Sequence, residues 1–439
     1  MNEILRLSGV AQAQLLSKRE ISSLELTRAY LERIESLNPT LQAFAYIASK
    51  QAQKAAHAWD RAHQHRRAPI SELSGVPTAV KDLNLVRWMP ARMGSRAFHY
   101  FVPPFDDPNV RRMRRAGLIF LGKTGTSEFG ATPFAPAKNP WDLTRTAGGS
   151  SGGAACAVAS GLIPFGHASD GGGSIRIPAA LCGLIGFKAS RGSLHHIVFA
   201  DHLKMVNEGS IAHSWDDIIA FLKILAKDPQ HFELPASLPP KRYRIQFYTR
   251  TPVASTDPEL VKVTLETASL LEKMGHDVIE GSWPDLSYED FTPIWTRTLA
   301  NIPVLKESAL EGLTAHFRKK GRTFTHKQSQ FHLQKALEMI QRSWDSQIDF
   351  HLSPSVACQT PRISTEKLSL QEQEQAMIPL GAYTAIANVL GYPAVSLPVR
   401  EDSSGMPIGV QLMAPLGKDT SLIELARQIP LSATKCPIS

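Results

Sequence analysis

The chain has 439 residues, 48 Lys+Arg against 40 Asp+Glu, a formal net charge of +8 and 43% hydrophobic residues. This composition excludes a disordered, collagen-like or disulfide-framework protein and supplies ample apolar material for a large core. The basic excess suggests a phosphate-binding surface, yet only Arg111, Arg112, Arg114 and Arg115 form a dense cluster, and a solvated helix face accounts for them.

The first 65 residues read as helical. Ser22-Ser23-Leu24-Glu25 is a capping-box pattern, and Leu26, Tyr30 and Ile34 then recur every four residues on one face. Gly75-Val-Pro-Thr-Ala-Val80 reads as a short buried strand with Lys81-Asp82 at its end. Residues 108–116 read as a helix and Leu118–Leu121 as another buried strand. From about 140 to 193, glycine and serine crowd around short apolar runs. Residues 242–248, a helical run over 257–274 and Asp277–Ile279 suggest a β-α-β unit, and 285–347 is helical. Strand signals return at Ala394–Val399 and Ile408–Met413. Alternating strands and helices without a linker predict one α/β domain over 1–439, with an N-terminal helical segment at 1–66 and a catalytic core at 75–193. Residues 285–347 are assigned to the wall of the substrate pocket.

Cys156, Cys182, Cys358 and Cys436 show no C-x-x-C spacing, which argues against a zinc site or redox pair. Neither a signal-peptide core nor an apolar run of about 18 residues is present, so a reducing, cytoplasmic setting is expected. His63 with His65 and His195 with His196 lack a completing cysteine or carboxylate cluster and read as solvent-facing.

Two motif matches conflict with their own physics. Gly117-Leu-Ile-Phe-Leu-Gly122-Lys123-Thr124 fits the phosphate-loop pattern, but Leu, Ile, Phe and Leu favour a strand, whose N–H groups are committed to a ladder. Gly148-Gly149-Ser150-Ser151-Gly152 fits the nucleophile-elbow pattern, but the preceding Asn139–Thr146 is no apolar strand, and the last histidine is His351.

Three other segments fit together. Lys81 ends a buried strand, where desolvation disfavours its charge and makes a base of it. Four glycines around Ser150 and Ser151 permit backbone geometry that other residues forbid. In Ser169-Asp170-Gly171-Gly172-Gly173-Ser174-Ile-Arg176, three unshielded glycine N–H groups precede a serine, a suitable nest for an oxyanion.

Together these segments resemble the amidase signature family, whose hallmark is a Gly/Ser-rich stretch with a Ser–cis-Ser–Lys triad. Ser150 stands 24 positions before Ser174, as in the family pattern. Further agreement lies in Leu121–Gly130, Asn139–Asp142, Leu181–Lys188, Asn388–Pro398 and Gly405–Gln411. The resemblance implies a mixed central β-sheet covered by helices on both faces. It implies Ser174 as acylated nucleophile, Lys81 as general base and cis-Ser150 as proton relay. Gly171, Gly172, Gly173 and Ser174 would supply oxyanion N–H groups. Ser151 would support the network, and Asp170 and Arg176 would brace the loop. No cofactor or metal is implied. The expected substrate is a small linear amide, with no nucleic-acid or membrane partner; a homodimer is compatible with the sequence. Activity is expected to rise from acid towards mildly alkaline pH.

Some residues depart from the family pattern. Gly171 stands where many relatives carry Ile or Thr, and Gly209-Ser-Ile-Ala-His213 replaces a G-P-x-x-R run. The loop Gly130–Asn139 is short. An alternative is the amidase component of a glutamyl-tRNA(Gln)-type amidotransferase acting with a partner protein. That component carries a Ser-Leu-Asp-Gln-x-Gly-Pro run where this chain has Lys204–Ser210. The pocket walls are assigned to 95–105, 131–138, 195–208 and 285–345, with Phe101, Phe105, Phe134 and Phe199 as candidates for contact with an apolar substrate group.

Overall fold

The computed structural model describes residues 1, 3–63, 69–195, 201–235, 241–363, 368–432, 436 and 438; His65, His196 and Phe199 lie outside them. The helix Ser23–Leu41 begins where the sequence places it. The Ser22 side chain accepts the Glu25 N–H, and the Glu25 carboxylate accepts the Ser22 N–H. Its Leu26, Tyr30 and Ile34 are fully buried, each worth about 1.5–3 kcal/mol of apolar transfer. The N-terminal region is not helical throughout. Phe44–Ile47 forms strand β1 before the helix Ser49–His63. Phe44, Tyr46 and Ile47 favour a strand, but a run of only four residues between two helices is too short to declare one; pairing with a distant segment makes the strand.

That segment is β3 (Ile119–Thr124), which runs antiparallel to β1 and parallel to β2 (Pro77–Lys81) in a three-stranded sheet ordered β1-β3-β2. Every residue of β2 and β3 is buried. The phosphate-loop lookalike is therefore a core strand, and Lys123 lies in a buried ion pair 2.7 Å from Asp82.

The larger sheet holds β4 (Phe165–Asp170), β5 (Ile185–Lys188), β6 (Asn207–Ala212), β7 (Arg244–Phe247), β8 (Asp277–Glu280), β9 (Phe350–Pro354), β10 (Ala394–Glu401) and β11 (Pro407–Met413). Its order is β4-β6-β5-β10-β11-β9-β7-β8. Pairing is antiparallel from β4 to β9 and parallel across β9, β7 and β8, so the sheet is mixed. The small sheet joins its β4 edge through side chains: Thr78 Oγ1 donates to the Phe165 carbonyl at 2.9 Å, and the Lys81 N–H to His167 Nδ1 at 3.3 Å.

Helices flank this sheet in one α/β domain. Helix Arg176–Cys182 lies so close that a Cβ on Gly186 would sit 2.4 Å from Ala179 Cβ. One on Gly409 would sit 2.7 Å from Ala180 Cβ. Small residues on both sides let backbone approach backbone. The helices Tyr288–Ala300, Gly312–Arg322 and His326–Ser343 carry separate apolar clusters around Ile294, Ile340, Leu299 and Phe317. Among the described residues, no helix is long and apolar enough to cross a membrane.

Candidate active site

Strands β2 and β4 deliver the first two groups side by side. Lys81 ends β2, and Ser169 and Asp170 end β4. Ser150 follows a cis peptide bond from Gly149, and Ser151 precedes the all-buried small-residue helix Gly152–Ala159. Lys81, Ser150 and Ser151 are 0%, 2% and 0% exposed.

Lys81 Nζ lies 2.7 Å from both Ser150 Oγ and Ser151 Oγ, 3.1 Å from Ser169 Oγ and 3.2 Å from the Ser169 carbonyl oxygen. Ser151 Oγ in turn donates to the Ser169 carbonyl at 3.2 Å. Hydroxyls donate or accept, so this shell satisfies the amine both as ammonium and with a free lone pair. Desolvation pulls the amine down to about 7, against the upward pull of the Glu208 and Asp170 carboxylates. A usable fraction is therefore neutral near pH 7. Ser169 as a lysine partner escapes the sequence reading, although it lies in the quoted motif.

Asp170 and Arg176 hold the loop between them. Arg176 is fully buried; its Nε and Nη2 donate to the two Asp170 carboxylate oxygens at 3.0 and 2.9 Å. The remaining donors reach Thr384 O, Gln411 Oε1 and Asn388 Oδ1. Burial raises the Asp170 carboxyl, but the Arg176 guanidinium outweighs it and holds the group down at about 2. Asn388 Nδ2 closes the frame by donating to the Asp170 carbonyl at 2.8 Å. Thr384, Asn388 and Gln411 lie more than 200 positions from this loop; Asn388 and Gln411 fall in segments that match the family pattern, but nothing in the sequence assigns them to this frame.

One expected oxyanion donor departs from the sequence reading. The Gly173 N–H donates to Asp170 Oδ1 at 2.7 Å. Its backbone, at φ +128°, would place a Cβ 2.2 Å from Thr384 Oγ1, so this position demands glycine. Among the described residues, the N–H groups of Gly171, Gly172 and Ser174 have no protein acceptor. Gly171 needs no left-handed backbone; a Cβ there meets only Val206 Cγ2, at 3.2 Å.

Ser174 is partly exposed and borders two chambers, which share it with Gly130 and Trp295. The first is walled mainly by apolar groups, among them Trp283, Tyr288, Phe291, Met377 and Ile386. The second, about 480 Å³, has apolar walls at Leu83, Phe129 and Leu299 and a polar end at Asn84 and Glu208. The short loop after Phe129 thus shapes both, through Gly130–Pro133 in the first and Gly130 in the second. Of the proposed aromatic contacts, Phe105 lines the second chamber, Phe134 packs against the main core, and Phe101 is exposed. Trp283 and the stretch 377–389 lie outside the walls expected from sequence.

Among the described residues, no group of three His, Cys, Asp or Glu side chains could hold a metal. His63 stacks on Trp59 with ring centroids 4.1 Å apart. The four-arginine helix face is largely solvated, with Arg114 paired to Asp106.

A family model described as Amidase matches residues 25–423. The AmiC protein of Mycobacterium leprae is 34% identical over 96% of this chain and 94% of its own length. The 6-aminohexanoate-cyclic-dimer hydrolase of Paenarthrobacter ureafaciens is 30% identical, covering 96% and 94%. A glutamyl-tRNA(Gln) amidotransferase component of Prochlorococcus marinus is also 30% identical, covering 96% of each chain. A solved 6-aminohexanoate cyclic dimer hydrolase superposes with a TM-score of 0.87 at 27% identity, covering 99% of both chains.

Proposed function

The chain belongs to the amidase signature family of C–N hydrolases, and from that premise we propose that it cleaves a linear carboxylic amide through an acyl-enzyme on Ser174. Neutral Lys81 takes the proton of Ser150, which takes that of Ser174 as its Oγ attacks the carbonyl carbon. The N–H groups of Gly171, Gly172 and Ser174 receive the oxyanion. Lys81, now an ammonium, returns the proton through Ser150 to the leaving nitrogen, and the C–N bond breaks. Water then attacks the ester, releasing the acid and restoring the Ser174 hydroxyl.

The observation that carries this reading is a fully buried lysine whose amine, lowered to about 7, touches Ser150 and Ser151 at 2.7 Å each. The apolar chamber beside Ser174 supports an aryl or aliphatic group on the substrate. The test is intact mass after incubation with an activated acyl ester. The native protein gains one acyl group and Ser174→Ala gains none; an undiminished adduct on the variant removes Ser174 as nucleophile. A panel of aryl, short aliphatic and amino-acid amides then ranks the substrates.

A further inference from the structure

We propose that the second chamber is a binding subsite for an ammonium group on the substrate, recognised by the Glu208 carboxylate and the Asn84 side-chain oxygen. The inference rests on Ser174 being the reacting centre, because that serine borders the same chamber.

Glu208 reaches the chamber from β6 and is only 3% exposed. One carboxylate oxygen meets His167 Nε2, and the other is 3.4 Å from Asn84 Nδ2. His167 Nδ1 accepts the Lys81 backbone N–H, so the single hydrogen of a neutral imidazole sits on Nε2 and is donated to Glu208. That contact supplies a hydrogen bond without an opposite charge. Lys81 supplies none either once it is the neutral base. In its working state the protein therefore buries a carboxylate that lacks a cation, a costly arrangement unless a ligand completes it.

Asn84 is an independent sign of the same ligand. It is 1% exposed and lines the chamber, yet its Oδ1 has no hydrogen-bond partner among the described residues. A buried acceptor without a donor wants an N–H or O–H. The chamber also borders Asp106, Asp107 and Asp201, against one cation, Arg111, which is exposed. Asp107 is occupied with the N–H groups of Leu85, Asn109 and Val110, and Asp106 with Arg114. Asp201 accepts the N–H groups of Met205 and Val206. Among the chamber's four carboxylates, Glu208 is thus the one that the described residues give neither a cation nor a backbone N–H, and the unpaired Oδ1 belongs to the neighbouring Asn84. A carboxylate or phosphate would meet acceptors and like charge; an ammonium answers both. Leu83, Leu85 and Leu299 suit the methylene chain that would tether it to the amide.

The test uses the full chain carrying Ser174→Ala, so that binding is read without turnover. Calorimetric affinities at pH 7 are compared within two pairs, 5-aminopentanamide against pentanamide and N-(4-aminobutyl)acetamide against N-butylacetamide, which place the amine on either side of the scissile bond. At least one amine is expected to bind about tenfold or more tightly than its uncharged counterpart, as for a charge-assisted hydrogen bond. Glu208→Gln, which keeps an acceptor for His167, should bring that ratio to within about threefold of one. Asn84→Ala should lower it part of the way, and melting curves confirm that both variants are folded. Equal affinity within both pairs, no binding of either amine, or a preference that survives Glu208→Gln overturns the subsite. Acylation of the native protein is scored separately: an adduct with no amine preference sinks the subsite alone, whereas no adduct sinks the hydrolase reading.

Discussion

Lys81 works against its own chemistry: an amine ordinarily charged at neutral pH is fully buried. Desolvation lowers it to about 7, and the Glu208 and Asp170 carboxylates limit the drop. The base form is the neutral one, so its fraction grows as pH rises through 7. We expect kcat/KM to fall about tenfold per pH unit on the acid side and to level off above about pH 8. Glu208→Gln removes a charge that holds the ammonium, and should move this limb to lower pH. Lys188, also buried and lowered to about 7, donates to the Ala189 carbonyl rather than to the serines, so the limb should persist in Lys188→Met. An acid limb that stays put in Glu208→Gln, or vanishes in Lys188→Met, contradicts the assignment. Ser151→Ala deletes one 2.7 Å partner of the amine and should reduce kcat by about 10–100-fold while the Ser174 adduct still forms.

At the level of elements, the loop after β4 holds its shape through a buried charge frame and one glycine. Arg176→Met leaves the Asp170 carboxylate buried without its guanidinium, a loss of about 3–5 kcal/mol by denaturant unfolding. Gly173→Ala forces a methyl group to within 2.2 Å of Thr384 Oγ1 at a φ that side chains avoid, and should lower the melting temperature by several degrees. Elements declared by local chemistry are legible in the sequence: the Ser22/Glu25 capping box and the apolar run of β3. Strand β1 is not, because Phe44–Ile47 becomes a strand only by pairing with Gly122–Thr124, far along the chain. Gly173 reads as an oxyanion donor from its neighbours in sequence; the direction of its N–H depends on where the Asp170 carboxylate turns.

For the whole molecule, what matters is that two chambers meet at one serine. Trp295, on the helix Tyr288–Ala300, borders both, while Phe291 and Trp283 wall the apolar one. Removing the Phe291 ring should raise KM for amides with a bulky apolar group by about tenfold, with a smaller effect on a short ester. Steady-state kinetics on both substrates, with KM and kcat resolved, checks this. An equal loss on the two would point to a displaced Ser174 rather than a lost wall.

The sequence by itself determined the α/β class and pointed to Lys81, Ser150 and Ser174 as candidate reacting residues, with Ser151 in support. The relay and the nucleophile sit in short glycine- and serine-rich segments that permit unusual backbone, and the base ends a short apolar strand; each is a local signal. The walls and the second-chamber polar groups were decided only by tertiary structure. Asn84, His167, Glu208, Thr384, Asn388 and Gln411 come from strands, loops and helices spread over about 300 residues, and nothing around any of them in the chain names the partner it meets. Their chemistry comes from burial and from what packs opposite them, and neither is written locally. Specificity, which depends on those walls, is therefore a property of the folded chain.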